Sequence, residues 1–142
     1  MRRWILCLWF AVAAVALAGP SREETHNGVK FTFQGGADAN PTGIVEVATG
    51  FVDALNHQDA EKASNLVHKG QKETWKTHLA KKQEKRVLSL EGVLVFIGDY
   101  RIEGKKVRDQ LMARISTRAT DGKGSMSFLM IQDEGKWVVA AD

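Results

Sequence analysis

Four side chains in this sequence have the type and the setting to do chemistry: Asp109, Tyr100, Trp75 and His68. Asp109 falls on the same alternation as Val107, Leu111, Ala113 and Ile115, the apolar phase of a strand. A carboxylate held on that phase loses water, so its pKa rises and it can act as a general base. The plainer reading puts Asp109 at the sheet rim, solvated, just after a turn. Tyr100 ends the preceding apolar strand. Its phenol can serve a ligand or an oxyanion, or it is a core aromatic whose hydroxyl reaches the edge. Trp75 either lines a pocket or anchors its helix, and His68 either looks into that pocket or sits in a loop. Since these residues form no catalytic dyad, they are read as ligand-binding candidates and no catalytic residue is assigned.

Other chemistries lack their residues. The four histidines, His26, His57, His68 and His78, show no HxH, HxxxH or HExxH spacing, so neither a metal nor another cofactor is expected. No GxSxG, GxGxxG or phosphate loop is present; Gly35-Gly36 reads as a joint and Gly122-Lys123-Gly124 as a turn. Arg108, Arg114 and Arg118 make a basic row on one strand face, with Lys105 and Lys106 nearby. No aromatic residues interleave it, so nucleic acid is not expected. A solvated face is the default, and an acidic partner, an anionic lipid or a second subunit are the alternatives.

The elements that position these residues follow from periodicity. Residues 1–18 come first and read as a signal peptide: Arg2 and Arg3, an apolar run from Trp4 to Leu17, then Ala16-Leu17-Ala18. The run is shorter than the roughly 20 residues that span a bilayer, so cleavage and a secreted or periplasmic domain are expected, with an uncleaved anchor as the alternative. No stable membrane span is expected after cleavage. That segment carries two of the 20 basic residues and none of the 17 acidic ones, so the formal charge drops from +3 to +1 without it. It also removes Cys7, the only cysteine, leaving a domain that must be held by its core alone.

Residues 19–41 read as a charged N-terminal tail (Pro20 to Asn27) with a short accessory strand, where Val29, Phe31 and Phe33 alternate with polar residues. Pro41 to Asn56 is an amphipathic helix with Ile44, Val47, Ala48, Phe51 and Leu55 on one face and Asn40 as its cap. Val45 and Val52 widen the stripe, as for a helix lying on a sheet. Asp59 caps a second helix carrying Ala60, Ala63, Leu66 and Val67 and closed by Gly70. Gln71 to Arg86 is a third, charged helix with Trp75 and Leu79 one turn apart. The remainder is strand and turn. Val87–Glu103 bends at Gly92 and Gly98, and Val107–Thr120, Ser125–Gln132 and Trp137–Ala141 follow as a meander. Helices first and long strands afterwards give α+β, with N-terminal helices packed on a curved antiparallel sheet.

Phe51-Val52-Asp53-Ala54-Leu55-Asn56-His57-Gln58-Asp59 through Leu66-Val67-His68 resembles the opening helices of the nuclear transport factor 2-like (cystatin-like) superfamily. Phe128-Leu129-Met130-Ile131 and Glu134-Gly135-Lys136-Trp137-Val138-Val139 are similar to its last hairpin. The resemblance covers residues 42–142 and looks like the small secreted bacterial members of uncharacterised role. It implies an α+β cone roll with a pocket between the concave sheet and the helices, and is nearly silent on activity. Three readings follow. One is a non-catalytic module for a small apolar ligand or a protein partner. Another is an isomerase- or dehydratase-like enzyme with Asp109 as base and Tyr100 on the oxyanion. The last is a homodimer built through the sheet face carrying Met112 and Arg114.

Overall fold

The computed structural model describes residues 21–81 and 87–140, with the backbone alone at residues 80 and 81. The expected signal segment, Cys7, and Lys82, Lys85 and Arg86 lie outside the described residues. Six strands form one sheet in chain order: β1 Arg22–His26, β2 Val29–Phe33, β3 Leu88–Ile102, β4 Lys105–Ala119, β5 Ser125–Asp133 and β6 Lys136–Ala140. Between β2 and β3 come three helices, α1 Pro41–Asn56, α2 Ala60–Ser64 and α3 Lys72–Lys81, with a 3-10 turn at Lys69–Gln71. The fold is α+β.

The sheet departs from the all-antiparallel expectation at one place. β2 and β3 run parallel, Lys30 opposite Gly92 through Phe33 opposite Val95. A parallel pair needs a long crossover, and the helices between β2 and β3 are that crossover. β2 is therefore no accessory: Phe31 and Phe33 are fully buried, their rings 5.9 Å apart. The charged stretch expected to be tail is β1, paired to β2 from Arg22–Phe33 to His26–Val29. Asn27 and Gly28 turn the chain with φ of 53° and 77°, a two-residue type I′ hairpin. Glu103-Gly104 and Glu134-Gly135 repeat that geometry, whereas Asp121-Gly122 lies in a longer loop from Thr120 to Gly124.

Helix α1 begins and ends where its periodicity does. Asn40 Oδ1 accepts from the Thr42 N–H at 3.0 Å, and Pro41 occupies a first-turn position where no N–H is needed. Helix α2 starts on its expected cap, Asp59 accepting from the Lys62 N–H at 3.0 Å, but stops at Ser64 rather than running to Gly70. Leu66–His68 is instead drawn alongside β6, with His68 N–H donating to the Val139 carbonyl and Val139 N–H to the Leu66 carbonyl, both at 2.8 Å. An exposed sheet edge offers unpaired donors and acceptors, and this short segment satisfies them.

Two apolar clusters lie on opposite faces of the sheet. On the helix-covered face, Ile44, Ala48 and Phe51 of α1 join Phe31, Val95, Ile115 and Met130. The opposite face holds Ile102, Met112, Leu129, Ile131 and Ala140, with Phe96, Tyr100 and Val138 packed against them. Met112, expected on an open face beside Arg114, is only 3% exposed.

Candidate functional site

The largest described concavity lies where β2 stops short. β2 pairs with β3 only from Gly92 to Val95, so Leu88–Leu90 runs on without a strand on that side. Residues of a strand alternate in the direction their backbone groups point, and Leu88 points away from β4. The Asn56 side chain takes both of its groups, Nδ2 donating to the Leu88 carbonyl at 3.0 Å and Oδ1 accepting from the Leu88 N–H at 2.8 Å. The last residue of α1 thus substitutes for a strand. Between α1, the Asn27-Gly28 turn and this edge lies a groove of about 840 Å³. Its floor is aliphatic: Val29, Val45, Val52 and Leu88, all buried, with Leu90 beside them.

The rim is polar and acidic, with Glu46, Thr49 and Asp53 on α1 and Ser89 on β3. Asp53 Oδ2 accepts from Lys62 Nζ at 2.9 Å, and His57 Nδ1 stands 3.3 Å from Oδ1. The Lys62 hydrogen bond, then its charge, hold the Asp53 carboxyl below its ordinary pKa and raise that of the ammonium. A carboxylate so held is a poor proton acceptor at neutral pH. The groove can shelter an apolar body and bond a polar end.

The second concavity lies on the opposite face. The β3–β4 ladder shifts register between Gly98–Gln110 and Tyr100–Val107, leaving Arg108 and Asp109 opposite Asp99. Asp109 adopts φ 55°, and its N–H donates to Asp99 Oδ1 at 3.0 Å. An added residue moves everything beyond it to the other face, so the alternation joining Val107 to Leu111 breaks at Asp109. Asp109 stands exposed at the rim, the plainer of its two readings. Past the bulge the hairpin end folds over the sheet as a strap. Ile102 and Tyr100 join the cluster of Met112 and Leu129, while at the tip a Cβ on Gly70 would overlap the Glu103 carboxylate. Under the strap is a recess of about 310 Å³. Tyr100 lines it and Asp109 does not, so the two expected partners do not meet there.

His68 and Trp75 occupy two further places. His68 Nδ1 accepts from the Gly70 N–H at 3.1 Å, capping the 3-10 turn, and Nε2 lies 3.9 Å from Asp133 Oδ2. It holds the chain near the strap tip rather than facing the groove. Trp75 packs edge-on to Phe51 with centroids 5.2 Å apart, and His78 packs edge-on to Trp75 at 5.8 Å. It anchors α3 to the helix-covered core, and its buried Nε1 has no acceptor among the described residues. The groove residues Thr49, Asn56, Leu88 and Ser89 carry no catalytic or ligand signature in sequence. Only the widened stripe of Val45 and Val52 pointed to them. Among the described residues no group of three or more acidic or histidine side chains could hold a metal ion, and no helix is long and apolar enough to cross a membrane.

A scan against models of protein families finds no match for this chain, and neither does a search of curated proteins.

Proposed function

We propose that this chain is an exported, non-catalytic binding domain of the nuclear transport factor 2-like type, its sheet bent as a cone, that holds an apolar or amphipathic small molecule in the groove between α1 and the β3 edge. The observation that carries this reading is the groove itself. Its volume of about 840 Å³ falls within the roughly 300–1,000 Å³ of small-molecule sites, over a floor of Val29, Val45, Val52 and Leu88. The order of helices ahead of the β3–β6 meander supports the fold assignment, and the basic start and apolar run of residues 1–18 support export. The isomerase- or dehydratase-like alternative draws no support from the pair it needs. Asp109 is at the rim, and Tyr100 lines a recess on the face away from the helices.

The test fills the groove. The mature protein should bind the neutral fluorophore N-phenyl-1-naphthylamine saturably, and Thr49→Trp, at an exposed helical position, should weaken binding at least tenfold with an unchanged melting temperature. No saturable binding, or binding indifferent to the substitution, refutes the groove as the site.

Self-association is a second reading. Met112 is lost to it by burial, but Ile97 is 56% exposed. Light scattering should then show a dimer that Ile97→Glu dissociates, and a monomer at high concentration rejects it.

A further inference from the structure

The recess under the strap is separate from the groove and lies on the other face of the sheet. We infer that it is a second binding site, for an amphipathic anion: an apolar chain ending in a carboxylate. Ile102 of the strap and Phe96, Met112, Leu129 and Ala140 of the sheet give it an apolar lining. Its polar groups are the Tyr100 phenol, Arg101, Arg114 and one carboxylate, Asp99. Two guanidinium groups against one carboxylate leave the lining positive. Asp99 is also engaged by its own loop, Oδ1 accepting from the Asp109 N–H at 3.0 Å and Oδ2 standing 3.7 Å from Lys106 Nζ. Arg114 projects from the same face as Met112, between Leu94 and Leu129 in the ladder, and is half-buried. A guanidinium offers five N–H donors in a planar fork, so it can hold a carboxylate alongside the contacts it makes within the protein. Tyr100 sits on the strap side of the same recess, where its hydroxyl can donate to the second carboxylate oxygen. The volume, about 310 Å³, is at the small end of the range for ligand sites and suits a short chain rather than a sterol-sized body.

The bend that makes the recess also tells how it opens. The strap is hinged at the Gly98–Asp109 bulge, where the ladder is interrupted, and a ligand enters by lifting the Tyr100–Ile102 side from the sheet.

Three ten-carbon amphiphiles below their micelle-forming concentrations test the assignment against the mature protein: decanoate, decanol and decyltrimethylammonium. Methyl NMR reads the recess through Ile102, Met112 and Leu129, and the groove through Val45, Val52 and Leu88. Decanoate should shift the recess methyls saturably, decanol should bind at least tenfold more weakly, and the ammonium should leave them unmoved. Tyr100→Phe, which keeps the ring and its packing, should weaken decanoate about three- to tenfold. Equal shifts from all three amphiphiles mean greasy adsorption and overturn the proposal, as do shifts confined to the groove methyls or none at all. Unchanged decanoate affinity in Tyr100→Phe overturns the placement of the head group. Because the two sets of methyls are distinct, the groove can fail as a site while the recess stands, and the reverse.

Discussion

The helix-covered face of the sheet and the face behind it are both closed to water, but by segments of very different origin. On the first, α1 arrives from elsewhere in the chain with a ready apolar stripe, and Ile44, Ala48 and Phe51 reach zero exposure against Val95, Ile115 and Met130. On the second, the sheet is covered by its own hairpin, folded back at a bulge so that Ile102 and Tyr100 lie over Met112 and Leu129. A helix docked along its length is lost only when the core is lost. A hairpin end joined through an interrupted ladder can open locally at lower cost. The stable face thus lies under the helices, and the adjustable face lies under the strap.

Truncation in each cluster is the strongest way to break that contrast. Phe51→Ala removes a ring packed at 5.0 Å on Phe128 and 5.2 Å on Trp75 and should cost about 3–5 kcal/mol in equilibrium urea unfolding. Ile131→Ala, also at zero exposure, should cost about 2–5 kcal/mol. Ile102→Ala in the strap should cost well under half of the Phe51 value, with amide exchange quickened at Tyr100–Lys105 and unchanged in β5. A global loss from Ile102→Ala as large as that from Phe51→Ala would erase the distinction.

Asn56→Ala sharpens the helix side. It strips the Leu88 N–H and carbonyl of the partner that stands in for a strand, at a cost of about 1–3 kcal/mol, and should loosen the groove floor. Amide exchange at Leu88 measures it directly.

Asp109→Gly tests the bulge. Glycine takes φ 55° without the penalty of a Cβ, so unfolding should require about 0.5–1 kcal/mol more. Asp109→Val should destabilise, because a β-branched residue is strained there.

The smallest effect is expected at the exposed Asp53–Lys62 pair. The folded Asp53 pKa lies below its unfolded value, so its contribution is present above that value and is lost as pH falls through the folded one. The folded Lys62 pKa is raised, so its contribution is present at lower pH and is lost as pH rises through it. The stability gap between the parent and Lys62→Met should therefore be flat between about pH 5 and 9 and close at both extremes. Thermal melts across pH measure it, and added salt should shrink it.

How much of this was legible differs by element. Helix α1 was readable to the residue because its stripe, its Asn40 cap and Pro41 all agree. The bends at Gly92 and Gly98 were readable too, since glycine in a strand has few other uses. β1 was not: Arg22–His26 contains no apolar side chain to set a period, and the Asn27-Gly28 turn was the signal that betrayed the hairpin. Helix α2 was overextended because Leu66 and Val67 keep helical spacing, while the demand of the β6 edge draws them into an extended segment. Asp109 was placed on an apolar phase because alternation assumes an unbroken ladder.

The sequence by itself determined the elements, the order in which helices precede the long strands, and the apolar stripes that had to be buried, since these depend on neighbours a few residues apart. Tertiary structure decided what lies beside what: the parallel seat of β2 against β3, the clamp of Asn56 on Leu88, and the strap over Met112 and Leu129. These depend on register, and a single added residue at Asp109 reverses which face every later side chain meets.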